Sequence, residues 1–189
     1  MKPHLESWKR KSSSDVADCR VFKVREDFSQ REGDGKSGSF FVVESPDWVN
    51  VIALTKEKEV VLIEQFRHGI QEMILEIPGG IIDDNEEAES AAKRELLEET
   101  GYSSDDWILL GKSYPNPAIQ NNTIYHYLAR RCEKTKETSF DEHESITVQL
   151  SSLDDVKELV KSGSFTHSLA VAAFLYLDIY EKSYENITS

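Results

Sequence analysis

Short apolar runs separated by turn residues fill the first half of the chain, the pattern of successive β-strands. Arg20–Arg25 alternates like a strand, and the glycine-bearing polar run Gln30–Ser39 predicts a turn. Strands are then expected at Phe40–Glu44, Trp48–Thr55, Val60–Phe66 and Ile74–Ile77, with turns at Pro46-Asp47 and Lys56-Glu57-Lys58. A helical segment follows Gly80, and further strands read at Trp107–Ser113, Thr123–Arg131 and Ser145–Leu150. Two helices come last, Ser152–Ser162 and Thr166 to about Tyr180. The second is apolar at Leu169, Val171, Ala172, Phe174, Leu175 and Ile179, a stripe broad enough to predict burial. This order predicts an α/β fold with helices on both sides of a mixed sheet. Lys9-Arg10-Lys11-Ser12-Ser13-Ser14 reads as a solvated arm.

Composition narrows the function classes. A chain of 189 residues with 39% apolar content buries a real core. Acidic residues outnumber basic ones, 35 to 22, for a net charge of −13, which argues against non-specific nucleic-acid or membrane binding. It does not argue against a phosphate substrate, because a bound cation inverts the local field. Cys19 and Cys132 stand apart with no metal-type spacing, so reduced thiols in a cytoplasmic setting are expected. The first eight residues lack an apolar signal core, and no stretch approaches membrane-spanning length.

The chemistry concentrates between Gly80 and Tyr102, GIIDDNEEAESAAKRELLEETGY. At about 100° per residue, Glu95, Glu98 and Glu99 share one helix face. Like charges at that spacing repel by a few tenths of a kcal/mol, roughly, per pair, which a cation between them relieves. Oxygen donors suit hard divalent ions, magnesium or manganese. Asp83, Asp84 and Asn85 are cap-type residues, Glu86 and Glu87 favour the helix N-terminus, and Gly101 suits a left-handed stop. Ahead of the helix, Ile77-Pro78-Gly79-Gly80 is a sharp turn whose carbonyls are further ligand candidates.

The spacing of Gly80, Glu86, Arg94-Glu95-Leu96, Glu98-Glu99 and Gly101 resembles the Nudix box, and only Tyr102 departs, aromatic where an aliphatic residue is usual. The likeness extends over roughly Phe40 to Tyr176. Gln65-Phe66-Arg67, Glu76-Ile77-Pro78-Gly79-Gly80 and the prolines of Tyr114-Pro115-Asn116-Pro117-Ala118 are similar to the branch that cleaves ADP-ribose and nucleoside diphosphate sugars.

That resemblance implies a Nudix-type α/β/α sandwich over 46–189, with residues 1–45 as an N-terminal β-rich segment that dimerises. It implies magnesium, or manganese in its place, held by Glu95, Glu98, Glu99 and the Gly79 carbonyl, with Arg94 ordering the carboxylates. Glu86 stands near the helix start in a structural role, or else as a ligand or bridging group. In the acidic loop Asp141-Glu142-His143-Glu144, Glu144 is implied as a further metal contact and Glu142 as the general base; His143 reads as solvent-facing. Arg67 would grip a phosphate or else form a surface ion pair, and Pro117 would mark the substrate class or else only punctuate a loop. Trp48, Phe66, Tyr114 and Tyr125 offer faces for a base, with core packing the default. Asn116, Asn121 and Asn122 are polar groups for a pocket rim.

The expected reaction is hydrolysis of a nucleoside diphosphate sugar, ADP-ribose first. GDP-mannose or a dinucleoside polyphosphate stands second, and a nucleotide-sugar sensor without catalysis third.

Overall fold

The computed structural model describes residues 6–138 and 145–188, with side chains described as far as Ser183. The chain forms two compact units, one of residues up to Pro46 with Tyr114–Asn122, the other of Asp47–Ser113 and Thr123–Ser189.

The first unit is a three-stranded antiparallel sheet in the order β1-β2-β3, from β1 (Trp8–Asp18), β2 (Lys23–Arg31) and β3 (Ser37–Glu44). The arm at residues 9–14 is therefore a strand, contrary to the sequence reading. Every residue of β1 is exposed, so no buried alternation marked it; its ladder with β2 supplies the order. The expected strand at Arg20–Arg25 begins later, at Lys23, because Arg20 takes a left-handed turn conformation with φ of 68°. The turn expected over Gln30–Ser39 shrinks to residues 32–36 between β2 and β3.

The second unit is a mixed sheet between helices. Its strands are β4 (Trp48–Thr55), β5 (Glu59–Arg67), β6 (Glu72–Glu76), β7 (Gly79–Ile81), β8 (Tyr102–Ser103), β9 (Asp106–Ser113), β10 (Ile124–Lys134) and β11 (Ile146–Ser152). The path runs β11-β5-β4-β10-β8, with β6 on β5, β7 on β4 and β9 on β10. Strands β4 and β10 are parallel, and the other pairings are antiparallel. Strand alternation sorts the apolar side chains by face. Val49, Val51, Ala53, Val61, Tyr127 and Ala129 pack with Ala91, Ala92 and Leu96 of α1 (Ala88–Thr100). On the opposite face Ile52, Leu62 and Leu128 pack with Val156 of α2 (Leu153–Ser162) and with Ala173, Phe174 and Leu177 of α3 (Ser168–Thr188).

Two helix details differ from expectation. Helix α1 starts at Ala88 behind Glu87, which makes no side-chain cap bond; Asn85, expected to cap, takes φ of 66° in the preceding turn. Helix α3 buries Ala170, Ala173, Phe174 and Leu177, whereas Leu175 and Ile179 are 61% and 52% exposed. The apolar stripe was broader than the face the sheet covers.

Candidate functional site

The site is a turn laid against a helix. Strand β7 runs antiparallel to β4, placing Gly79 opposite Asn50 and Gly80 opposite Val49. The Val51 N–H donates to the Pro78 carbonyl at 2.8 Å, and the Gly79 N–H donates to Glu99 Oε2 at 2.8 Å. Gly79 lies so close to β4 that a Cβ there would stand 2.3 Å from the Val49 carbonyl oxygen. A Cβ on Gly80 would stand 2.3 Å from Glu95 Oε1. The first glycine is needed by the backbone, and the second leaves room at the carboxylates.

Arg94 organises the acidic face of α1. Its Nε and Nη2 donate to the two oxygens of Glu86 at 3.1 and 2.9 Å, and Nη2 also donates to the Ile81 carbonyl at 2.9 Å. Its Nη1 donates to Glu95 Oε1 at 2.8 Å and to Glu98 Oε2 at 3.3 Å. The hydrogen bond from Arg94 is the main cause holding the Glu86 carboxyl below its ordinary range, and Glu86 in turn raises the Arg94 guanidinium. Glu86 also accepts from the Asp83 N–H at 3.2 Å, so it closes the turn leading into α1.

Of the predicted ligands, Glu95, Glu98 and Glu99 lie on α1 beside the Gly79 turn, with Glu99 buried, Glu95 half-buried and Glu98 exposed. Among the described residues no three His, Cys, Asp or Glu side chains converge as a metal cluster. The physical reason is visible: Arg94 draws Glu95 and Glu98 towards itself, while Glu99 faces the Gly79 N–H. The donors fit a hard divalent cation all the same. They are carboxylate oxygens in excess over one guanidinium, beside the space that a Cβ on Gly80 would fill.

Arg67 holds Glu76 through two hydrogen bonds, Nε to Oε1 and Nη2 to Oε2, both 2.6 Å. Glu76 is buried while the Arg67 side chain is 44% exposed, so the guanidinium neutralises an interior carboxylate from its solvent side, and losing it would be costly. His167 Nδ1 lies 3.5 Å from Glu76 Oε2 without a hydrogen bond, and burial lowers its pKa. Trp48, half-buried, opens β4 opposite Ile81 and Ile124. Pro117 is exposed in the segment 114–122 of the first unit, where Gln120 N–H closes a turn on the Asn116 carbonyl. Glu142, His143 and Glu144 lie outside the described residues.

A buried polar chain behind the turn escaped the sequence reading. His126 is 0% exposed, with Nε2 2.7 Å from Ser113 Oγ and Nδ1 2.8 Å from Asn50 Oδ1. Asn50 Nδ2 donates to the Leu169 carbonyl at 3.0 Å. The one available signal was two polar residues with apolar neighbours on both sides, Asn50 in β4 and His126 in the first half of β10.

Turn, arginine clamp and carboxylate face thus come together at one place in the second unit. The family model described as NUDIX domain matches residues 45–172. An ADP-ribose pyrophosphatase of Bacillus subtilis is 32% identical over 149 residues, covering 78% of this chain and 80% of its own. A methanol dehydrogenase activator of Bacillus methanolicus is 31% identical over 163 residues, covering 86% and 88%. A solved structure, "Crystal structure of ADP compounds hydrolase", superposes with a TM-score of 0.83 at 21% identity, covering 95% of this chain and 96% of that one, and shows the α/β fold. The chain belongs to the Nudix family, in its ADP-ribose pyrophosphatase branch. It is a metal-dependent Nudix pyrophosphohydrolase. No described helix is long and apolar enough to cross a membrane.

Proposed function

We propose that this enzyme hydrolyses ADP-ribose to AMP and ribose 5-phosphate, with magnesium as its metal and manganese as the substitute. The observation that carries the reading is the single site formed by the box: Gly79 bonded to Glu99, and Arg94 bonded to Glu86, Glu95 and Glu98. The substrate is supported by the Bacillus subtilis relative, an ADP-ribose pyrophosphatase, and by the sequence around Gln65-Phe66-Arg67 and Pro117.

Glu95, Glu98, Glu99 and the Gly79 carbonyl are the groups assigned to hold the cation. When bound, a divalent cation offsets the charge of the two phosphates and makes water a better nucleophile. Water adds to one phosphorus, and the bridging oxygen departs with the other phosphate. Glu142 is assigned the water's proton and Glu144 a further ligand role, on the strength of the family's acidic loop. A carboxylate suffices as base for an acidified water. Arg94 offsets the repulsion among the carboxylates with a charge that does not titrate. Arg67, held by Glu76, is assigned to a substrate phosphate, and Trp48 to the nucleotide.

The first unit, taken to residue 45, is assigned to dimerisation within a homodimer, and the setting is cytoplasmic. Exposed Phe28 and Phe41 share one face of this sheet and support the dimer, since neighbouring exposed aromatics mark an interface. Sedimentation of wild type against a Phe28→Ser/Phe41→Ser variant tests it.

The deciding experiment incubates the enzyme with magnesium and a panel of ADP-ribose, GDP-mannose and dinucleoside polyphosphates, resolving products by chromatography. Fastest release of AMP from ADP-ribose is expected. Faster cleavage of another member moves the substrate, and binding without cleavage of any member overturns the catalytic reading.

A further inference from the structure

We infer that His126 and Asn50 are positioning residues that set the Gly79 turn from inside the sheet. The inference rests on the reading of Gly79 as a metal ligand and goes beyond it, since neither residue lies in the box.

The polar groups form a directed chain. The Leu169 carbonyl only accepts, so the Asn50 amide must turn its NH₂ there and its oxygen towards His126. His126 therefore carries its proton on Nδ1 and donates it to Asn50 Oδ1, leaving Nε2 to accept from the Ser113 hydroxyl. Ser113 lies on β9, His126 on β10, Asn50 on β4 and Leu169 on α3, so the chain ties three neighbouring strands and a helix in addition to the strand ladders. The Tyr176 ring packs against the imidazole at 5.3 Å between centroids, while its hydroxyl donates to the Lys112 carbonyl at 2.7 Å. A fully satisfied buried network permits one arrangement of its members.

That arrangement meets the site at Asn50. Asn50 is the residue paired with Gly79, and a Cβ on Gly79 would stand 2.8 Å from Asn50 Cα and 3.0 Å from Asn50 Cβ. No slack separates the two backbones. Gly79 is pressed on β4 from one side and bonded to Glu99 of α1 on the other. A shift in Asn50 must move Gly79, and with it the bond to Glu99. An apolar residue at 126 would fill the same space without fixing Asn50.

The test is manganese affinity of the full-length protein without nucleotide, read by electron paramagnetic resonance, alongside kcat and KM for ADP-ribose and thermal melts. His126→Leu removes both hydrogen bonds and is expected to weaken manganese binding roughly tenfold and lower kcat by a like factor. KM is expected to stay within about twofold. His126→Asn places an amide where Nδ1 was and keeps the bond to Asn50, whereas His126→Gln places it where Nε2 was and keeps only the bond to Ser113. The Asn variant should therefore bind manganese closer to wild type than the Gln variant does. Equal affinity in His126→Leu and wild type overturns the inference, as does a Gln variant that matches or exceeds the Asn variant. If His126→Leu does not fold, the Asn–Gln order decides alone. A merely structural histidine would lower the melting temperature and leave affinity unchanged. Failure of the underlying reading looks different: wild type itself would neither bind manganese nor cleave ADP-ribose.

Discussion

Gly79 and Glu99 are joined across the junction of turn and helix, the Gly79 N–H donating to Glu99 Oε2 at 2.8 Å with Glu99 only 5% exposed. A Gln at 99 keeps an acceptor for that N–H but loses the charge. Glu99→Gln is expected to lower kcat by a factor on the order of 10³, consistent with several kcal/mol of charge stabilisation, while its melting temperature stays near wild type. Near-full activity with magnesium would refute the ligand assignment.

The two glycines of the turn should respond differently to the same methyl group. Gly79→Ala drives a Cβ into backbone at 2.3 Å and should destabilise the fold by roughly 1–3 kcal/mol. At Gly80 the obstacle is the end of the Glu95 side chain, which can swing away. Gly80→Ala should therefore fold normally and lose activity by roughly 10- to 100-fold. Denaturant melts paired with kcat separate the two outcomes.

Arg94 reaches three carboxylates and a carbonyl from one planar group, which a lysine cannot do. Arg94→Lys is expected to cost about 1–2 kcal/mol of stability and to lower kcat roughly tenfold or more. Unchanged kcat in a stable Arg94→Lys protein would show that the clamp serves folding alone.

Burial pushes the His126 pKa down to about 4 from 6.5. The unfolded chain then binds a proton that the folded one refuses between those values. Stability is full above pH 6.5 and declines as pH falls towards 4, by about 3 kcal/mol in total. His167, also lowered by burial, contributes in the same direction. Thermal melts between pH 7.5 and 5 should show the decline, and His126→Asn should flatten it. An identical slope in that variant would place its origin elsewhere.

Strand positions in the second unit were largely legible, because β4, β5 and β10 each contain a mostly apolar stretch, at residues 51–54, 60–63 and 124–129. Strand β1 was not, since none of its side chains is buried and its order comes from pairing with β2. The cap of α1 was misplaced for a related reason. Asp83 and Asn85 have cap chemistry, yet the Asp83–Glu86 hydrogen bonds form a separate turn before Ala88. In α3, sequence showed which residues are apolar, and the sheet decided that Leu175 and Ile179 stay in solvent.

The sequence by itself determined the acidic face of α1, the glycine turn before it and the family, because those depend on spacing within a few residues along one chain segment. Tertiary structure decided what each charge meets. Arg94 spans Glu86, Glu95 and Glu98 at once, Arg67 pairs with Glu76, and His126 reaches Asn50. The last contact joins residues 76 positions apart through the parallel pairing of β4 and β10. Local periodicity carries no record of such a contact, because the partner is chosen by sheet order and by the exclusion of water from the interior.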